Sequence, residues 1–125
     1  MAIMKILIAE DSSTVRRLVA ARLRADGYEV TEAADGEEAL EHARADNPDL
    51  LVLDKVMPKL DGFEVVRALR EDPATRGIPI VMLTERTSEE DVLSGLQLGV
   101  EEYMPKPFSP HELSARVRRT LARGA

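Results

Sequence analysis

The sequence predicts an α/β fold: an open, doubly wound parallel sheet of five strands with five helices covering both of its faces. Three observations predict it. Runs such as Leu50-Leu51-Val52-Leu53 are too uniformly apolar for a sheet with one wet face and suit strands buried on both sides. Each run is followed by a segment with apolar residues at helical spacing, so that strand and helix alternate five times. The connections are short, and a closed barrel would need about eight such units.

Ile3 to Ala9 is the first apolar run and ends in the polar loop Glu10-Asp11-Ser12-Ser13, rich in capping residues. Thr14 to Ala25 carries Val15, Leu18, Val19 and Leu23 at helical spacing, with Arg16, Arg17, Arg22 and Arg24 on the other face, and Asp26-Gly27 stops it. Tyr28 to Ala33 alternates as a second, less buried strand. Asp35 and Glu38 form a reciprocal cap for a helix running to about Ala45, with Ala39, Leu40 and Ala43 inward. Asn47-Pro48-Asp49 breaks that helix ahead of the third strand, which ends at Asp54. Pro58 and the permissive Gly62 mark a turn-rich loop after it.

Phe63 to Glu71 is the third helix, with Phe63, Val66 and Leu69 on one side, and Asp72-Pro73 ends it. Ile78 to Thr84 is the fourth strand. Thr87-Ser88-Glu89-Glu90 opens a fourth helix with Val92, Leu93 and Leu96, which stops at Gly99. Val100 to Met104 is the fifth strand, with Glu101 and Glu102 facing water. Ser109-Pro110-His111-Glu112 supplies a cap, a proline at the first helical position and a glutamate at the third. The last helix carries Leu113, Val117 and Leu121, and Arg116, Arg118, Arg119 and Arg123 crowd its final turns, where the helix dipole favours cations.

Residues 1–125 suffice for one domain with a real core, and no repeat, low-complexity tract or linker divides them. Aromatic residues are scarce, so that core must be aliphatic. A formal charge of −6 argues against nonspecific binding to nucleic acid or anionic membranes. The lack of cysteine removes disulfide and thiolate chemistry. The N-terminal apolar run is too short for a signal peptide, and no stretch is long enough to span a bilayer. These features fit a cytoplasmic protein with no direct contact with nucleic acid or membrane.

In a sheet of this kind the residues just after each strand share one rim, where ligands bind. Glu10 and Asp11 follow the first strand, Asp54 ends the third, Thr84 the fourth, and Lys106-Pro107 follows the fifth. Singly, each has an ordinary structural reading as a cap, a strand end or a solvated lysine. Jointly, three carboxylates, a hydroxyl and an ammonium fall at the same end of four strands. Clustered carboxylates repel unless a cation intervenes, and an all-oxygen set is how Mg²⁺ prefers to be held. Metal and ammonium would then neutralise a phosphoryl group, Thr84 would donate a hydrogen bond to it, and one carboxylate would serve as nucleophile.

On these residues the chain resembles the receiver domain of two-component response regulators, the fold shared with the single-domain chemotaxis regulator. The resemblance spans essentially the whole chain. It rests on Glu10-Asp11, on Asp54-Lys55-Val56-Met57-Pro58 with Asp61-Gly62, on Leu83-Thr84 and on Lys106-Pro107-Phe108. It implies a flavodoxin-like sheet of strand order 2-1-3-4-5. It also implies that Asp54 accepts a phosphoryl group from the phosphohistidine of a histidine kinase or phosphotransfer protein, or from a small donor such as acetyl phosphate. Asp11, Asp54 and the Val56 carbonyl would ligate Mg²⁺, with Glu10 reaching it through water. Lys106 would bind a phosphoryl oxygen, its bond to Pro107 being cis. Thr84 would move toward the phosphoryl group and Tyr103 would swing inward behind it, altering the surface of the fourth helix, fifth strand and last helix for a downstream effector or output domain. Such a chain promotes its own phosphorylation and dephosphorylation and is not a turnover enzyme. The first helix is where a kinase's helical bundle would dock.

Four positions stand out against the family pattern. Glu85 stands after Thr84, where a small residue is usual, and adds bulk and negative charge beside an incoming anion. Lys55 replaces a common apolar residue and alternates away from Asp54. Val56 and Arg86 occupy positions that tend to set the dephosphorylation rate, and a valine cannot orient water, so a long-lived acyl phosphate is expected.

Two competing readings remain. One is a receiver-like protein-binding module that works without phosphorylation, suggested by Glu85. The other is an enzyme on a similar sheet. A phosphatase with an aspartate nucleophile would normally want a second aspartate where Val56 stands, and no glycine-rich nucleotide loop follows the first strand. The opposite charges of the last helix and of Glu101 and Glu102 would permit a symmetric homodimer through that face. Sequence leaves open whether the chain stands alone or belongs to a larger regulator.

Overall fold

The computed structural model of the 125-residue chain describes residues 3–85, 93 and 97–123. The elements are β1 (Lys5–Ala9), α1 (Ser13–Ala25), β2 (Glu29–Ala33), α2 (Gly36–Asp46), β3 (Leu50–Asp54), α3 (Gly62–Glu71), β4 (Ile80–Thr84), β5 (Glu102–Pro105) and a C-terminal helix, α4 (Pro110–Arg123). The five strands form one parallel sheet in the order β2-β1-β3-β4-β5, the flavodoxin-like arrangement. Four helices are delineated among the described residues, where the sequence predicts five. The expected helix opening at Thr87 falls mainly on residues outside the described set, as does Arg86.

The uniform apolar runs are explained by the two cores they serve. Successive side chains of a strand point to opposite faces. Leu7, Leu51, Leu53, Ile80 and Met82 therefore meet Ala39, Leu40 and Ala43 of α2 and Val65, Val66 and Leu69 of α3. Ile6, Ile8, Leu50, Val52, Val81 and Leu83 meet Val19, Ala20 and Leu23 of α1 and Leu113 and Val117 of α4 on the other face. Fully burying such a side chain is worth ~1.5–3 kcal/mol, so the three central strands dominate the stability and hold their ends rigidly in register.

The cap residues act as their types predict. Ser12, Asp35, Asp61 and Ser109 accept the amides of Val15, Glu38, Glu64 and Glu112 at 3.3, 2.9, 2.9 and 3.0 Å. Asp61 and Glu64 complete a full capping box. At α2 the reciprocal bond differs: Glu38 Oε1 accepts from Ala34 N, at 3.4 Å, one residue before the cap.

Three sequence expectations require correction. Leu18 is 57 % exposed, because the inward arc of α1 is centred on Val19, Ala20 and Leu23 and Leu18 lies about 100° round the helix from Val19. Arg16, expected in solvent, folds inward to an ion pair with Glu32 on β2. Glu102 does not face water. Its carboxylate accepts from Arg116 at 2.8 Å and Arg119 at 2.9 Å. Glu101 stays exposed as expected, although one of its oxygens accepts from Arg70 at 3.2 Å and from the Ile80 amide at 2.7 Å. Arg70 also donates to the carbonyls of Leu98, Arg76, Ile78 and Gly99, fastening the entries to β4 and β5 to the end of α3.

Candidate functional site

The parallel register brings the strand ends to one level. Ala9 lies opposite Leu53, Asp54 opposite Leu83 and Thr84 opposite Pro105. The residues after β1 and β5 and the last residues of β3 and β4 therefore lie together at the carboxyl edge. Glu10 is 1 % exposed, and its amide is held by the Ala33 carbonyl at 3.1 Å. Asp54 is buried and Asp11 exposed. Each of Glu10, Asp11 and Asp54 offers an oxygen, and these oxygens lie within 4.8 Å of one another. Lys106 reaches in from the opposite side, with its Nζ 2.9 Å from Glu10 Oε1 and 3.2 Å from Asp54 Oδ2. Its amide is tied to the Thr84 carbonyl at 2.7 Å, and the Lys106-Pro107 bond is cis.

The electrostatics follow from burial and like charge. Burial, reinforced by a hydrogen bond and like-charge repulsion from Asp54, raises the Glu10 carboxyl from 4.5 to about 7 against the pull of Lys106. Burial works against the charge of Lys106, yet Glu10 and Asp54 outweigh it and hold the ammonium above its ordinary range. Glu10 Oε2 is buried with no hydrogen-bond partner among the described residues. An orphaned acceptor beside converging carboxylates is costly as it stands. When ionised, three carboxylates set against one ammonium leave two negative charges over, the charge of one divalent cation. The donor set is all oxygen, so these residues fit a hard ion such as Mg²⁺.

The loop after Asp54 is held at both ends. The Gly62 amide donates to the Lys55 carbonyl at 2.7 Å. Lys59 adopts φ 72°, unusual for a side-chain-bearing residue, and its ammonium lies 3.5 Å from Asp35 and 3.6 Å from Glu37 at the start of α2. Val56 sits between these ends. Its amide donates to Asp54 Oδ1 at 3.4 Å and its side chain is 70 % exposed. The Lys55 ammonium lies 5.7 Å from the centre of the Phe63 ring at the start of α3.

Thr84 is buried at the end of β4, and Glu85 beside it is exposed. Tyr103 is half-buried on β5, opposite Met82, and packs on the core beneath α2 and α3. A groove of about 630 Å³ opens next to Lys106, lined by Val15, Leu18, Glu85, Pro107 and Phe108 among others. Sequence reasoning missed one residue at this rim. Arg16 Nη1 donates to the Glu10 carbonyl at 2.9 Å. Helical periodicity places Arg16 outside the apolar stripe; the only signal for its inward turn was an acidic partner, Glu32, on a strand otherwise half-buried.

Comparison with known proteins agrees with this geometry. The response regulator receiver domain family model matches residues 6–118. The probable transcriptional regulator ycf27 of Porphyridium aerugineum is 47 % identical over 119 residues, 95 % of this chain and 48 % of that protein. The alkaline phosphatase synthesis transcriptional regulatory protein PhoP of Bacillus subtilis is also 47 % identical over 119 residues, covering 95 % and 49 % of the two. The chain thus spans about half the length of the curated relatives it matches. Among solved structures, the Vibrio cholerae chemotaxis protein CheY4 superposes with a TM-score of 0.90 at 39 % identity, over 95 % of this chain and 99 % of that one. The receiver domain of the Francisella response regulator 1452 gives 0.89 at 33 % identity, over 98 % and 99 %. With sheet order, acid cluster and motif-bearing loops all in agreement, the chain belongs to the response regulator receiver domain family.

Proposed function

We propose that the chain is the phosphoacceptor switch of a two-component phosphorelay, with Asp54 as the residue modified. The observation that carries this reading is the convergence of Glu10, Asp11 and Asp54 within 4.8 Å, with the Lys106 ammonium against two of them. Asp11, Asp54 and the Val56 carbonyl would hold Mg²⁺, with Glu10 reaching it through water. The bound ion supplies the positive charge without which an anionic cluster repels an anionic donor. An Asp54 oxygen attacks phosphorus, the donor's N–P bond to histidine breaks, and that bond's electron pair stays on the imidazole, which a proton then neutralises. Lys106 exchanges a carboxylate for a phosphoryl oxygen, and the Thr84 hydroxyl donates to another. The chain is thereby an acceptor rather than a turnover enzyme.

Drawing Thr84 toward the new group biases Tyr103, and so the face of β5 and α4 that an effector or output domain would read. The partners in this reading are a histidine kinase or phosphotransfer protein upstream and that effector downstream. Intact mass after incubation with acetyl phosphate and Mg²⁺ tests it. The wild-type chain gains one phosphoryl group and Asp54→Ala gains none; the same gain in both would end the assignment.

Glu85 supports a second reading, a binding module that works without phosphate, because its carboxylate shares a groove with Lys106 at the entrance. Beryllofluoride with Mg²⁺ separates the two, since only the switch binds it and rearranges near Tyr103. On the favoured reading Glu85 slows rather than forbids entry. Glu85→Ala will quicken phosphorylation by acetyl phosphate about fivefold, the equivalent of ~1 kcal/mol of like-charge repulsion near a surface. Identical time courses would remove that role.

A further inference from the structure

We infer that Arg16 is a positioning residue for the metal-binding acid pair, acting through the single peptide plane that joins Glu10 to Asp11. The inference rests on the reading of this rim as a metal and phosphoryl site.

The two acids are adjacent in the chain, so one peptide unit, the Glu10 carbonyl and the Asp11 amide, sets the angle between their side chains. That unit follows the end of β1, where the ladder to β2 and β3 gives out: the pairings of β1 end at Ala9. The Glu10 amide still reaches the Ala33 carbonyl, at 3.1 Å, but this fixes the preceding peptide. What holds the joining peptide is Arg16, whose Nη1 donates to the Glu10 carbonyl at 2.9 Å.

Arg16 is itself anchored. Its side chain is 16 % exposed, its Nε donates to Glu32 Oε1 at 3.3 Å, and the other Glu32 oxygen is held by Arg24 at 3.3 Å. Arg24 in turn donates to the Val30 carbonyl at 3.1 Å. The rigid fork of a guanidinium thus spans from β2 to the acid loop, a bridge that an ammonium cannot make with the same two bonds. A divalent oxygen site needs its donors directed before the ion arrives, and partners behind the ligands commonly change metal affinity by tenfold or more. The guanidinium also brings positive charge to the backbone of a cluster that carries excess negative charge.

Arg17 is the internal control. It is the adjacent arginine on α1, it is exposed, and its replacement changes the net charge equally. Mg²⁺ titration by calorimetry, at constant ionic strength, compares wild type, Arg16→Gln, Arg16→Lys, Glu32→Gln and Arg17→Gln. Arg16→Gln is expected to weaken binding about tenfold and Arg16→Lys and Glu32→Gln about threefold, with Arg17→Gln within about twofold of wild type. Hydrogen exchange of the Asp11 amide, which belongs to the clamped peptide, is read on the same proteins without metal and should quicken in Arg16→Gln but not in Arg17→Gln.

Unchanged affinity in Arg16→Gln, or an equal loss in Arg17→Gln, overturns the positioning role; the second result would mean bulk charge alone. Should Arg16→Gln fail to fold, Glu32→Gln and Arg16→Lys decide by the same criterion. If the wild-type chain binds no Mg²⁺, the proposed function fails, while the Asp11 amide still reports whether Arg16 holds that peptide.

Discussion

Without metal, Glu10→Gln will be more stable than the wild-type chain near pH 8, by up to about 3 kcal/mol, and the difference will close as the pH falls. In the folded chain the Glu10 carboxyl titrates at about 7, against 4.5 for the ordinary group. Between those values the folded state keeps a proton that the unfolded state has lost, so stability falls as pH rises through this window and levels off above it. Glutamine imitates the protonated form at every pH. The two proteins should therefore match below pH 4.5 and diverge up to about pH 7, as the charge on Glu10 alone changes.

Urea unfolding in EDTA, repeated across that range, measures the divergence, and parallel profiles would show that Glu10 titrates alike in the folded and unfolded states. On the proposed reading, added Mg²⁺ will stabilise the wild-type chain more than the variant, because an ion held by the ionised cluster favours the folded state by mass action. On the proposed reading stability and function are opposed at this residue: burial penalises its carboxylate in the metal-free fold, and its second oxygen has no hydrogen-bond partner among the described residues.

Gly62→Ala will cost about 2–3 kcal/mol of stability and will weaken Mg²⁺ binding together with it. A Cβ at this position would stand 2.8 Å from the Asp54 carbonyl oxygen, 2.8 Å from Lys55 Cα and 3.1 Å from Met82 Sδ. Two of these three are backbone atoms, so no rotamer change relieves the contact. Either α3 retreats or the end of β3 shifts, and the second carries the Asp54 carboxylate with it. Thermal unfolding and Mg²⁺ titration on one preparation check both effects. A variant as stable as wild type would mean that the loop has more slack than the contact distances allow. The comparison at Gly36, where a Cβ would meet the Leu60 carbonyl oxygen at 2.4 Å, tests the same tight packing further from the acids, and there stability should fall while metal affinity changes less.

Gly62 also marks a limit of sequence reasoning. Its presence in the loop is legible, and a permissive backbone is the natural explanation. The structure gives a different one. The left-handed residue of this loop is Lys59, and Gly62 is required for the absence of a side chain where α3 passes the end of β3. Leu18 fails in a similar way. Its spacing fits the apolar stripe of α1, but the width of that stripe depends on how the helix is rotated against the sheet, and here Leu18 lines the open groove instead. Glu102 reads as solvated because strand polarity carries no information about arginines on other elements.

Local chemistry written along the chain determined the strand and helix alternation seen among the described residues, the caps at Ser12, Asp35 and Ser109, and the two-sided burial of the sheet. Those rest on periodicity and on hydrogen bonds spanning three or four residues. The motifs also named Glu10, Asp11, Asp54, Thr84 and Lys106 as companions, since parallel strands deliver their ends to one rim. Only the tertiary structure decided that Arg16 holds the joint between the acids, that Lys106 spans Glu10 and Asp54, and that Gly62 is needed for space. Each of these depends on angstrom-scale distances between atoms far apart in the chain, which packing sets and no pattern of residue types records.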